Sequence, residues 1–213
     1  MKRKERDSAR AAAGPRFPAD EAKHAWLPVL LRMHALVDAG VATAVRNEER
    51  RRGAPRACRI GCDVCCRTQG DIPVFQIELT GISWYSAEKL DGPVRTAVRD
   101  RLDRHVAGAR ECPFLVGHAC AIHPLRPIAC RLFTVFGRPC AEGEDPFHTR
   151  RPDMLTPPPG LLVRVYREML PFHGVKEPKD QETWLERGLI KTLAVNFPDC
   201  DWHNLARLMG TKN

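Results

Sequence analysis

Four of the chain's nine cysteines fall within nine residues: Cys58, Cys62, Cys65 and Cys66 in the stretch CRIGCDVCC. Thiols at that density cross-link as disulfides, bind a soft metal ion or carry out redox chemistry. Four more follow at wider intervals, Cys112, Cys120, Cys130 and Cys140, and Cys200 stands apart. If the first group were helical, its side chains would share one arc of about 100°. If it were a loop, Cys62-x-x-Cys65 would form a chelating knuckle whose backbone N–H groups bond the sulfurs. Both forms converge the thiols. Neither supplies one ion with four tetrahedral ligands, because Cys65 and Cys66 are adjacent. The second group's intervals of 8, 10 and 10 residues suit ligands delivered by separate loops. Sites completed by both groups are therefore expected, tying the two regions together and adding to folding stability.

The bulk composition chooses among the three chemistries. With 213 residues and 43% hydrophobic content, the chain can bury the core of one ordinary domain. Its opening, MKRKERDSARAAAGPRF, is basic and lacks the apolar segment of a secretory signal. The apolar stretch WLPVLLRMHALVDAGVATAV is interrupted by Arg32, His34 and Asp38, so it reads as a core helix and not as a membrane span. A cytoplasmic location with no membrane partner is expected. Thiols stay reduced there, which favours metal or redox use over disulfides. The formal net charge is +8. Eight thiolates around two zinc ions would lower it to about +4, so part of the basicity balances buried negative charge.

Few segments alternate as strands do, and the expectation is a mainly α, small single-domain helical fold with irregular, metal-braced cysteine loops. Residues 1–19 read as a basic disordered tail and 20–213 as the domain. Asp20 is placed to cap a helix running to about Glu49 with a kink at Pro28. A helix over 75–90 carries Val74, Ile77, Ile82, Tyr85 and Leu90. The next begins at Asp91-Gly92-Pro93 with Val94, Val98, Leu102, His105 and Val106 as its stripe. Residues 112–140 read as loop plus one short helix from Pro127 through Cys130 and Phe133, where a helix start lowers thiol pKa. Arg126 and Arg131 are placed to offset a thiolate site's negative charge. Two more helices are expected near 161–170 and 181–195, the last with the stripe Leu185, Leu189 and Leu193.

CRIGCDVCC, then VFQIELTGIS, CPFL and CAIHPLRPIACRLF, resemble the YkgJ-type cysteine-cluster family over roughly residues 58–140. That family is described as a zinc- or iron-chelating domain and is linked to flagellin lysine N-methylase. The resemblance implies eight metal ligands: Cys58, Cys62, Cys65, Cys66, Cys112, Cys120, Cys130 and Cys140. It also matches Glu78 to an acidic position beyond the cysteine block. Here three residues separate Cys58 from Cys62, where the family's spacing is CxxC, and His123 stands where the family often has tyrosine. His123 is read mainly as a loop histidine, with a ligand or supporting role as the sharper alternative, and Cys200 as structural.

Thiolate-rich sites suit zinc and iron–sulfur clusters equally. The cofactor expected is Zn2+ or an Fe–S cluster, with a redox, electron-transfer or metal-handling role. One alternative is an Fe–S-dependent protein-modifying enzyme related to the flagellin methylase; no catalytic residue is singled out for it. Another is a zinc-braced module whose Arg-rich surface, RNEERRRGAPRACR, meets nucleic acid or a protein partner. The chain has no Gly-rich phosphate loop and no GxSxG elbow. Cys58, Cys62 and Cys65 share the CxxxCxxC spacing of radical enzymes that cleave S-adenosylmethionine, but such enzymes need a strand-rich barrel, and this chain is too short and too helical for one.

Overall fold

A computed structural model describes residues 14–210. Helix outweighs strand, 58% to 6%, which is the mainly α fold expected. The expected tail lies outside the described residues as far as residue 13. Its remainder is built into the fold: the Phe17 ring packs edge-on against Trp84 at 5.1 Å and Tyr85 at 6.1 Å.

The first long helix differs from expectation. A short helix, α1 (Pro18–Glu21), precedes α2 (Trp26–Arg52). Asp20 does not cap α2; it lies in α1 and accepts from the Lys89 ammonium at 2.5 Å. Pro28 sits in the first turn of α2, where the backbone N–H has no intrahelical acceptor to lose, so it starts the helix and does not bend it. By length and composition α2 is apolar enough to cross a membrane. Its buried residues, among them Leu30, Met33 and Val37, pack into a hydrophobic cluster of this chain.

Helix α3 (Val64–Thr68) carries the end of the cysteine block and leads to β1 (Pro73–Phe75), α4 (Gln76–Glu88) and α5 (Gly92–Asp103). Val74 belongs to β1 and not to the helix after it. Val98 and Leu102 are fully buried, but Val94 and Val106 are 42% and 71% exposed, so the stripe of α5 is shorter than expected. A small hairpin follows, β2 (Leu115–Val116) with β3 (Ala119–Cys120), then α6 (Ile128–Leu132) and α7 (Pro146–Thr149).

Helices α8 (Leu161–Met169) and α9 (Pro178–Glu186) come next. The helix expected over 181–195 ends early. Its second half is a 3-10 turn, Leu189–Leu193, followed by β4 (Ala194–Asn196). Leu189 is 36% exposed and outside any buried stripe. Strand β4 pairs antiparallel with β1, Val74 opposite Val195. The unpaired backbone of β1 needs a partner, and that tertiary demand outweighs helical periodicity. Helix α10 (His203–Gly210) closes the described chain.

Two hydrophobic clusters lie on either side of α6. One joins α2, α8 and Ile128; the other gathers Ile82, Val98, Leu102, Phe114, Phe197 and Trp202. The rings of Phe114, Phe197 and Trp202 meet at 4.9–5.6 Å. Helices α2 and α8 approach closely at Gly40, where an added Cβ would come within 2.6–2.7 Å of the Leu161 methyls. Gly40→Ala is therefore expected to destabilise the fold by about 1–2 kcal/mol in urea denaturation, the packing clash exceeding the better helix propensity of alanine. Unchanged stability would mean that Leu161 can move aside.

Candidate metal centre

The cysteine block is part loop and part helix. Cys65 and Cys66 lie in α3, while Cys58 and Cys62 precede it. The extra residue between Cys58 and Cys62 is absorbed in a turn: the Cys62 N–H donates to the Arg59 carbonyl at 3.1 Å, and Gly61 takes φ 83°. Ile60 projects fully into solvent there. Such a φ suits glycine because no Cβ opposes it.

Backbone hydrogen bonds stitch the two cysteine regions together. The Cys112 N–H donates to the Cys66 carbonyl at 2.7 Å. The Ala57 N–H donates to the Val135 carbonyl at 2.8 Å, and the Val135 N–H returns to Cys58 Sγ at 3.3 Å. A sulfur that accepts a backbone N–H is in the setting a metal-bound thiolate needs. Cys112, Cys120, Cys130 and Cys200 pack against the second hydrophobic cluster, so that core forms the wall of the site. The Arg101 guanidinium holds the Cys112 carbonyl at 3.3 Å.

The electrostatics group the thiols into two adjoining neighbourhoods that share Cys65. Burial pushes Cys112 up to about 12, with Cys120 and Cys65 repelling its thiolate further. Burial holds Cys130 well above the ordinary thiol range, helped by Cys112, Cys120 and Cys65. Cys65 is raised first by its hydrogen bond with Cys66 and then by burial. Cys120 is raised by burial and by Cys65, against the pull of the Ile122 N–H, Arg126 and Arg131. Cys65, Cys112, Cys120 and Cys130 thus sense one another. Cys58 and Cys140 are raised chiefly by burial as well; both sense Cys62, and Cys58 also senses Cys65, which links the two groups. Cys62 is exposed, and the Arg150 guanidinium reaches Cys140 Sγ at 3.5 Å.

The donor chemistry fits zinc or iron, since neighbouring thiols that repel as thiolates are stabilised together by a cation. The contacts of a formed site are absent: among the described residues, no group of three or more His, Cys, Asp or Glu side chains could hold a metal ion as it stands. The shared neighbourhood and the missing ligand contacts point different ways. The backbone brings the cysteine-bearing segments together, and the side chains as they stand do not converge on one point.

The other candidate residues fall as follows. His123 is exposed and its ring faces Arg126, whose Nη1 lies 2.7 Å from Nε2. Cys200 Sγ donates to the Asn196 carbonyl at 3.5 Å, a local structural contact. Arg131 is buried and, besides its influence on Cys120, pairs with Asp38 at 2.6 Å and donates to His34 Nδ1 at 3.1 Å. Glu78 is buried, only 1% exposed, and not on a solvent-facing side of its helix. Burial pushes its carboxyl up to about 7, against the pull of the Ile128 and Phe75 N–H groups and Arg131. Sequence reading gave His34 and Asp38 no role at the site. They stand four residues apart on α2, which marks a shared helix face, but nothing local names a partner 93 residues away.

No curated protein and no solved structure matches this chain. Residues 57–154 match the family described as "CxxCxxCC: Putative zinc- or iron-chelating domain". The matched span holds every cysteine but Cys200. What this chain is similar to, over residues 57–154, is the CxxCxxCC zinc- or iron-chelating domain.

Proposed function

We propose that residues 57–154 hold zinc or iron through cysteine thiolates in two adjoining positions and serve a redox, electron-transfer or metal-handling role. The inner position takes Cys65, Cys112, Cys120 and Cys130. The outer takes Cys58, Cys62 and Cys140, with Cys66 beside Cys65 as the remaining donor. The observation that carries this reading is the backbone stitching of the cysteine segments, the Cys112 N–H on the Cys66 carbonyl at 2.7 Å and the Val135 N–H on Cys58 Sγ at 3.3 Å. Side-chain rotation would turn that shared neighbourhood into ligation. The exposure of Cys62 supports an outer position from which an ion or electron is exchanged.

Protein purified without oxygen and analysed for iron, acid-labile sulfide and zinc tests this directly, with the visible spectrum recorded alongside. Matching iron and sulfide with a brown colour would assign an Fe–S cluster and electron-transfer work. A colourless protein with about one or two zinc ions per chain would assign metal handling or bracing. A well-folded, metal-free protein that takes up neither ion would overturn the reading.

A further inference from the structure

We infer that Glu78 is a positioning residue for the cysteine centre, its carboxylate fixing where α6 begins and therefore where Cys130 stands. This rests on the chelating reading above. Glu78 Oε1 accepts the Ile128 N–H at 2.7 Å, and Oε2 accepts the Phe75 N–H at 3.0 Å. Ile128 is the first residue of α6, and Cys130 lies two residues further on. Phe75 ends β1 and precedes α4. One side chain thus joins the sheet edge, the start of α4 and the start of the helix that bears an inner cysteine.

The alternatives available to these groups make the clamp specific. The N–H of Ile128 precedes the first hydrogen-bonded turn of α6, so no helical carbonyl can take it. The site is buried, so water does not replace the lost partner without cost. A helix of five residues has little stability of its own, and its placement is set by its anchors. Arg131, on α6 itself, ties that helix to the Arg126 and Pro124 carbonyls and to Asp38 of α2. Between these two anchors Cys130 has little freedom to shift. Second-layer partners of this kind orient ligands and commonly govern affinity by about 10–100-fold when removed.

The test uses the full chain, with Zn2+ and Co2+ as probes. Zn2+ affinity is measured by competition with a chromophoric chelator, and the thiolate-to-cobalt charge-transfer absorption per bound ion reports the thiolates engaged. Glu78→Gln keeps one acceptor and is expected to bind Zn2+ about 10-fold more weakly; Glu78→Leu keeps none and is expected to lose about 100-fold. Charge-transfer absorption per Co2+ at the inner position should fall by about a quarter, one thiolate in four. Ile128→Pro removes the donor and leaves Glu78 intact. Pro127 already has the φ −52°, ψ 152° that a following proline requires, so the backbone admits this variant, and Ile128→Ala, which loses the same buried side chain but keeps the N–H, is its control. The double variant Glu78→Gln/Ile128→Pro should be no weaker than the weaker single, because both delete the same bond.

Zn2+ affinity within about twofold of the unsubstituted chain in Glu78→Gln, Glu78→Leu and Ile128→Pro alike would overturn the inference. So would lower melting of the metal-free protein with affinity and cobalt spectrum unchanged, since that is what a merely structural residue gives. If the unsubstituted chain binds neither ion, the chelating reading itself has failed, and this inference falls with it; that pattern cannot be confused with failure confined to the variants.

Discussion

Chelating the metal from the loaded protein is expected to lower its stability by about 4 kcal/mol or more, and to loosen residues 57–68 and 104–154 before the rest. Any ligand present at about a thousand times its dissociation constant stabilises by about 4 kcal/mol, and structural zinc sites bind far more tightly than that. The reason for local loosening lies in the architecture. Between α5 and α8 the regular elements are a two-strand hairpin of two residues per strand, helices α6 and α7 of five and four residues, and two 3-10 turns of three residues each. Such pieces do not persist on local hydrogen bonding alone. Thiols crowd there in surroundings that disfavour their charge, so the metal-free state must keep them protonated. The sign with pH follows. Binding displaces protons from thiols whose pKa values are raised, so affinity should rise with pH and fall in acid. Thermal unfolding with and without chelator, together with hydrogen exchange, checks both parts. Exchange should accelerate over 57–68 and 104–154 while α2, α4, α5 and α8 stay protected. Identical melting and exchange for metal-loaded and stripped protein would sink the idea that the ion braces this region.

Replacing Arg131 by methionine is expected to cost about 3–5 kcal/mol, the range for removing one partner of a buried ion pair. The Arg131 side chain is 2% exposed and makes four contacts: Asp38, His34 Nδ1 and the carbonyls of Pro124 and Arg126. Burial keeps His34 well below its ordinary pKa, with Arg131 and Arg126 adding repulsion. The ring is therefore neutral, and Nδ1 accepts from the guanidinium. Removing Arg131 strands that nitrogen and two carbonyls. Asp38, 37% exposed at its side chain, can rehydrate, which places the expected loss toward the lower end. Arg131→Lys should rescue little, because an ammonium cannot serve a planar set of acceptors in several directions. Urea denaturation of both variants decides the matter. A loss under about 1 kcal/mol for Arg131→Met would show that the network offsets only its own desolvation.

The chemistry of this protein is written in local spacing. The nonapeptide from Cys58 to Cys66 and the proline-flanked Cys130 announce soft-metal chemistry with no knowledge of the fold, because clustered thiols are the donors a soft cation binds. The apolar periodicities of α2, α4, α5 and α8 announce a mainly helical fold, since a buried stripe repeats along the chain itself. Pairings across sequence distance left no such local trace. Helical spacing of Leu185, Leu189 and Leu193 suggested a helix where β1 required Ala194–Asn196 as its second strand. The role of Glu78 depends on a backbone N–H 50 residues away, and that of Arg131 on an aspartate 93 residues away. The packing of Cys112, Cys120 and Cys130 against one hydrophobic cluster likewise arises only when distant chain segments meet. Ligand type is a property of side chains, which the amino-acid sequence carries directly. Burial, anchoring and the neighbourhood of each thiol are properties of packing, and only the tertiary structure decided them.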